Sequence, residues 1–154
     1  MLKIVVYPNN ILTNKTKPVE KVDQKIAKLI ADMRETMNSV NGVGLSANQI
    51  GEPIQLSIIE NNKTEDKKIP FTVIINPRIL SASKETMIES EGCLSLPEIF
   101  VKVPRSKTIS IQCWDENENK RIIKAEGLFS RAIQHEIDHL NGILITEYGE
   151  PEKQ

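Results

Sequence analysis

The sequence predicts an α+β fold in one domain, residues 1–154, and three patterns carry that prediction. Apolar residues recur at helical spacing early in the chain, strand-like alternation fills the middle, and helical spacing returns near the end. A helix, a run of antiparallel strands and a second helix are segregated along the chain, whereas a parallel α/β sheet would alternate them. A chain of this length suits a single domain and buries roughly two thirds of its unfolded surface, enough for a real core.

The first helix is read from Val22, Ile26, Leu29, Ile30, Met33 and Met37, which fall on one face at offsets of three and four. Lys21, Asp23, Gln24, Lys25, Lys28, Asp32 and Arg34 fall mostly on the other face, and Asn41-Gly42 is expected to end the element through a left-handed glycine. Ile54, Leu56 and Ile58 alternate with polar residues as in a half-buried strand. The polar stretch from Asn61 to Lys68 reads as a solvated loop, and Phe71 to Ile75 as a short strand stopped by Asn76-Pro77. Ile109, Ile111 and Cys113 alternate before Asp115-Glu116-Asn117-Glu118-Asn119, and Arg121-Ile122-Ile123 follows, which predicts a hairpin with Cys113 as a small core residue. Leu128, Ala132, Ile133, Ile137 and Leu140 predict the last helix, closed by Asn141-Gly142. Ile143-Leu144-Ile145 is expected as a final short strand before a charged tail from Glu147.

Composition excludes several classes of partner. Lys and Arg number 20 against 21 Asp and Glu, so no electrostatic footprint for nucleic acid or an anionic membrane is present. The N-terminus has neither the basic start nor the long apolar core of a signal peptide, and no apolar run is long enough to span a bilayer. The expectation is a soluble, intracellular protein in which Cys93 and Cys113 stay reduced.

The chemistry is concentrated in three segments. The two histidines of the chain stand in His135-Glu136-Ile137-Asp138-His139. Positions i and i+4 share a helix face, so both imidazoles can meet one metal ion, and the carboxylate after the first can act as general base. A catalytic centre of this kind takes three protein ligands and leaves a position open for water. No third histidine exists, and Glu147 and Glu150 lie in the charged tail, so an upstream thiolate is the better third ligand. Cys93, in Glu91-Gly92-Cys93-Leu94-Ser95, is the candidate, although alone it reads better as a buried structural cysteine. In Gly42-Val43-Gly44-Leu45-Ser46-Ala47-Asn48-Gln49 the glycines permit close backbone approach, and the Gln49 amide can donate to an oxyanion.

Together the three segments resemble the peptide deformylase family. Its signatures Gly-x-Gly-Leu-(Ala/Ser)-Ala-x-Gln, Glu-Gly-Cys-Leu-Ser and Gln-His-Glu-x-Asp-His occur intact and in order at Gly42 to Gln49, Glu91 to Ser95 and Gln134 to His139. The likeness extends over Tyr7-Pro8, Asn76-Pro77, Val103-Pro104-Arg105 and Leu140-Asn141-Gly142, essentially the whole chain. It implies antiparallel β-sheets packed around the C-terminal helix that carries the His-Glu-x-x-His motif, with an N-terminal helix. It implies a hydrolase that removes the N-formyl group from N-terminal formylmethionine of new polypeptides and releases formate.

By the same resemblance Cys93, His135 and His139 hold one divalent ion whose fourth ligand is water. The ion is natively Fe²⁺, with Zn²⁺, Ni²⁺ or Co²⁺ able to replace it. Glu136 is the proton carrier, and the Gln49 amide with the Leu94 backbone N–H faces the oxyanion. Substrate contacts fall to Val43, Gly44 and Leu45 as a strand-pairing edge, to Glu91 and Gly92, and to Leu128 and Ala132 lining a methionine pocket beside His135. Partners implied are formylmethionyl nascent peptides and the ribosome near its exit tunnel, with no nucleic acid and no membrane. The implied protein is a monomer in the cytoplasm of a bacterium, or of a virus-infected one, or in an organelle.

Three positions depart from relatives. Glu89 and Arg131 replace aliphatic residues near the pocket, and Phe100 replaces a basic residue along the substrate path. Two competing readings remain at this level. A zinc endopeptidase would use Glu147 or Glu150 as third ligand. A metal-stabilised binding module would close its coordination shell with Asp138 or Glu91.

Overall fold

The computed structural model describes residues 1–153. Helix α1 spans Gln24–Ser39, and Asp23 caps it by accepting from the Ile26 N–H at 3.0 Å. Strands follow as β1 (Gly44–Ser46), β2 (Leu56–Asn61), β3 (Ile69–Ala82), β4 (Thr86–Cys93), β5 (Leu96–Ser106), β6 (Thr108–Trp114) and β7 (Lys120–Glu126). Helix α2 is Gly127–Leu140, and 3₁₀ turns lie at Asn10–Leu12, Ala47–Ile50 and Ile145–Glu147. The strands form an antiparallel five-stranded sheet in the order β1-β2-β3-β6-β7 and a separate β4-β5 hairpin.

The large sheet has a helix on each face. On one side Ile30, Met33 and Met37 of α1 pack on Leu45, Leu56, Ile58, Val73 and Ile75. On the other side Ala132, Ile133 and Ile137 of α2 meet Ile59, Ile74, Ile109, Ile111 and Ile123. Cys113 is buried in that second core, as its strand parity predicts. A third cluster joins Leu96, Val101 and Val103 of β5 to Leu12, Leu144 and Ile145. Helix α2 contacts β1, β2, β6 and β7 of the large sheet as well as β5 of the hairpin, so it is held between the two sheets.

Four local expectations change. Strand β2 is buried at all six positions, because its two faces feed two different cores, so it is not half exposed. Asn41, not Gly42, takes the left-handed conformation after α1, with φ 55°. Gly42 instead permits close packing: a Cβ there would lie 3.0 Å from Leu94 Cδ1. Asn76-Pro77 does not stop β3. Asn76, at φ 52°, forms a bulge with a register shift between Ile75 and Arg78, where a proline costs no ladder bond. Its amide pairs with the Val19 backbone, donating at 2.8 Å and accepting at 2.8 Å. Finally, Ile143-Leu144-Ile145 is not a strand. The chain turns at Ile145–Glu147, and Glu147 Oε2 accepts from the Leu144 N–H at 3.1 Å.

Candidate metal centre and active site

Three segments distant in sequence meet at one end of α2. Helical geometry puts His135 and His139 one turn apart with ring centroids 4.8 Å apart. Strand β4 ends at Cys93, and the turn after β1 carries Gln49. The ligand atoms of Cys93, His135 and His139 all lie within 4.8 Å of one another. His139 Nε2 is 3.1 Å from His135 Nε2 and 3.3 Å from Cys93 Sγ. Ligands of one tetrahedral ion on bonds of about 2.1 Å stand roughly 3.4 Å apart, so the spacing suits a shared cation. Burial first, and then the proximity of His135, hold His139 well below the usual histidine range, while at His135 burial is outweighed by hydrogen bonds to Cys93 and Glu91, which raise it to about 10.

Outer partners orient this trio. His135 Nδ1 donates to Glu91 Oε1 at 2.8 Å, which leaves Nε2 facing the cluster. Glu91 is gripped by Arg105, whose Nε and Nη2 each donate at 2.9 Å, and by Arg131 Nη1 at 2.5 Å. Burial alone would raise the Glu91 carboxyl, but the Arg105 and His135 hydrogen bonds outweigh it and hold it at about 2. Arg105 Nη1 also donates to Asp138 Oδ2 at 2.6 Å, and Tyr148 covers the guanidinium while its hydroxyl donates to Asp138 at 2.6 Å. Asn48 Nδ2 donates to the His139 carbonyl at 2.7 Å, which ties the Gln49 turn to α2.

Glu136 is buried against Gly44, where an added Cβ would collide with the carboxylate. Its Oε1 is enclosed without a hydrogen-bond partner among the described residues, an orphaned acceptor that suits a water on the cluster. Burial, opposed by His135 and Arg105, lifts its carboxyl to about 7. A cavity of about 640 Å³ opens over the cluster, and its lining includes Val43, Gly44, Gln49, Gly92, Leu128, Ala132 and Glu136.

Two expected substrate contacts take other positions. Leu45 is fully buried in the α1 core, and its backbone faces Ile58 in the β1-β2 ladder. By the same alternation, with Val43 O accepting from the Glu60 N–H at 2.9 Å, Gly44 turns its N–H and C=O to the open edge of the sheet. Glu91 borders the cavity, but both its oxygens are committed to Arg105, Arg131 and His135, so it fixes the orientation of the His135 ring. Arg131, which stands where some relatives have an aliphatic residue, likewise spends its guanidinium on Glu91 and on the Val103 and Met87 carbonyls. Phe100 is exposed at the rim, against Gly92.

The competing readings lose their ligands. Glu147 caps its own turn, and Glu150 is exposed in the tail. Asp138 faces Arg105 and Tyr148, while Glu91 meets the remote nitrogen of His135. The residues to which sequence reasoning gave no part of their own are Asn48, Ser95, Arg105 and Tyr148. Arg105 left a signal: it shares strand parity with buried Val101 and Val103, so a charge was pointing inward. Ser95 and Asn48 left none, being small polar residues with no period of their own.

Residues 1–154 match the family described as Polypeptide deformylase. A peptide deformylase of Bartonella henselae (strain ATCC 49882 / DSM 28221 / CCUG 30454 / Houston 1) is 42% identical over 148 residues, covering 96% of this chain and 84% of the relative. One of Rhizobium meliloti (strain 1021) is 39% identical over 145 residues, covering 94% and 83%. Among solved structures, peptide deformylase from Ehrlichia chaffeensis in complex with actinonin superposes with a TM-score of 0.92 at 40% identity, covering 97% of this chain and 89% of that one. The Thermotoga maritima peptide deformylase gives 0.90 at 38% identity, covering 98% and 99%. With fold, length and sequence in agreement over nearly the full chain, the protein belongs to the polypeptide deformylase family.

Proposed function

We propose that residues 1–154 act as one catalytic domain that removes the formyl group from N-formylmethionyl peptides, with Cys93, His135 and His139 as the metal ligands. The observation that carries this reading is the convergence of one sulfur and two Nε2 atoms within 4.8 Å beside a buried, unpartnered Glu136 oxygen. A divalent ion bound there acidifies water and polarises the formyl oxygen. Fe²⁺ is our first assignment, and Zn²⁺, Ni²⁺ and Co²⁺ suit the same donors, which discriminate weakly among them.

The remaining work belongs to the chain. The substrate backbone adds as a strand along the open edge of β1, bonding to the N–H and C=O of Gly44. Its methionine side chain enters the cavity against Leu128 and Ala132, with Val43 and Gly92 flanking the peptide. Glu136 takes the proton of the attacking water and delivers it to the amine nitrogen as the C–N bond breaks, releasing formate. A carboxyl held near 7 suits a group that must both accept and return a proton. Gln49 Nε2 and the Leu94 N–H meet the formyl oxygen as it gains charge. The substrates are nascent chains met near the ribosomal exit tunnel in the cytoplasm, and the working unit is a monomer.

The test is formate release from formyl-Met-Ala-Ser by anaerobically purified protein. Steady release is expected, and its absence with metal bound would overturn the proposal. Replacing Cys93 with Ala should abolish stoichiometric metal, measured by elemental analysis.

A further inference from the structure

An amide that stabilises an oxyanion must present its N–H, not its oxygen, and the partners of its other atoms decide which way it faces. Gln49 Oε1 accepts from the Ser46 N–H at 3.0 Å, while the Ser46 hydroxyl donates to Asn48 Oδ1 at 2.6 Å. Nε2 therefore points the other way. It donates to Ser95 Oγ at 3.1 Å and also lies 3.8 Å from Cys93 Sγ. One amide proton is thus engaged by Ser95, and the second is directed toward the ligand side of the cavity. Ser95 itself is fully buried and lies outside the cavity lining, so it does not meet the substrate.

The backbones that carry these two side chains are also joined. Val5 N–H donates to the Gln49 carbonyl at 2.7 Å, and Tyr7 N–H donates to the Ser95 carbonyl at 3.0 Å. An N-terminal segment thereby bridges the turn after β1 and the turn between β4 and β5. Leu94, whose N–H is the other oxyanion donor, immediately precedes Ser95 on the second of these turns. The two donors come from different elements, and their separation is set by this bridge and by the Gln49–Ser95 bond. Catalytic donors are effective when their geometry is fixed before the charge develops.

We propose that Ser95 is a positioning residue for deformylation: by holding one Gln49 amide proton, it aims the other at the formyl oxygen. The inference rests on the oxyanion role assigned to Gln49 above. A serine that merely filled its space would give a different result, because alanine there would be nearly neutral or would cost the same whatever residue stood at 49.

A double-mutant cycle on metal-loaded protein separates these cases. With formyl-Met-Ala-Ser, Ser95→Ala should lower kcat about tenfold while KM and metal content stay within about twofold, since only transition-state stabilisation is lost. In a Gln49→Ala background the same substitution should cost nothing further. Multiplying effects in the double variant, or an unchanged kcat in Ser95→Ala, would overturn the proposal. Ser95→Cys keeps a weaker acceptor in the same place and should retain more activity than Ser95→Ala; it also carries the cycle if Ser95→Ala melts early. Should Gln49→Ala alone leave kcat intact, the oxyanion assignment itself fails, a result distinct from multiplying effects.

Discussion

Glu136 is enclosed, lifted to about 7 chiefly by burial, and left with one oxygen free of protein partners. Glutamine has nearly its shape and no proton to exchange. Glu136→Gln should therefore lower kcat by about a thousandfold while metal content, read by elemental analysis, is unchanged. Away from the site, Arg34 Nη2 grips buried Glu60 at 2.6 Å and stacks over Phe71 at 4.2 Å. The Arg34 hydrogen bond, working against burial, holds the Glu60 carboxyl below its usual range. A depressed carboxylate adds stability above its unfolded-state pKa and loses it as pH falls through the folded-state value. Glu60→Gln should cost about 1 kcal/mol at pH 7, and the cost should fade on acidification below the ordinary glutamate range. Melting curves of both proteins across pH 7 to 3 check this, and a constant difference would refute it. At this scale the sequence was informative wherever spacing met chemistry. Two histidines a helical turn apart, a glutamate between them and a cysteine among small residues did converge. It did not say which way Ser95 or the Leu45 side chain would face, because that depends on strand pairing that no local pattern encodes.

Strand β1 is only three residues long, yet it presses Gly44 against the Glu136 carboxylate. Gly44→Ala should leave the protein folded and metal-bound but lower kcat by about a hundredfold, because the displaced carboxylate loses its alignment. Normal turnover would mean that this contact has no bearing on catalysis. Strand β3 makes a different use of one residue. Asn76 holds φ at 52° and stitches the bulge to Val19 by two hydrogen bonds. Asn76→Ala should cost about 2–3 kcal/mol, from left-handed strain and from two backbone groups of Val19 losing their partner, measured by urea unfolding. Helices α1 and α2 and the β6-β7 hairpin were readable because their apolar periods are long and uninterrupted. The full length of β3 was not, since a proline stops most strands and is admitted here only by the bulge. The turn at Ile145–Glu147 was missed for a related reason: three apolar residues in a row fit a strand or a buried turn equally well.

For the molecule as a whole, the proposed metal ligands come from β4 and α2, and α2 is held between both sheets. An ion bound to all three should therefore strengthen the entire fold. At a thousandfold excess over its dissociation constant a ligand adds about 4 kcal/mol, worth roughly 10 °C for a chain of this size. Removing the metal with a chelator should lower Tm by that order, and Cys93→Ala should melt like the chelated protein with no response to added metal. A melting temperature indifferent to chelation would show that the ligands are not shared by the sheets as described. The guanidiniums around Glu91 extend this point to electrostatics. Arg105 and Arg131 both grip Glu91 in the interior, and Arg105 also reaches Asp138. Within that group two guanidinium charges are matched by two carboxylate charges. The frame that orients His135 is thus balanced in charge by the chain's own residues.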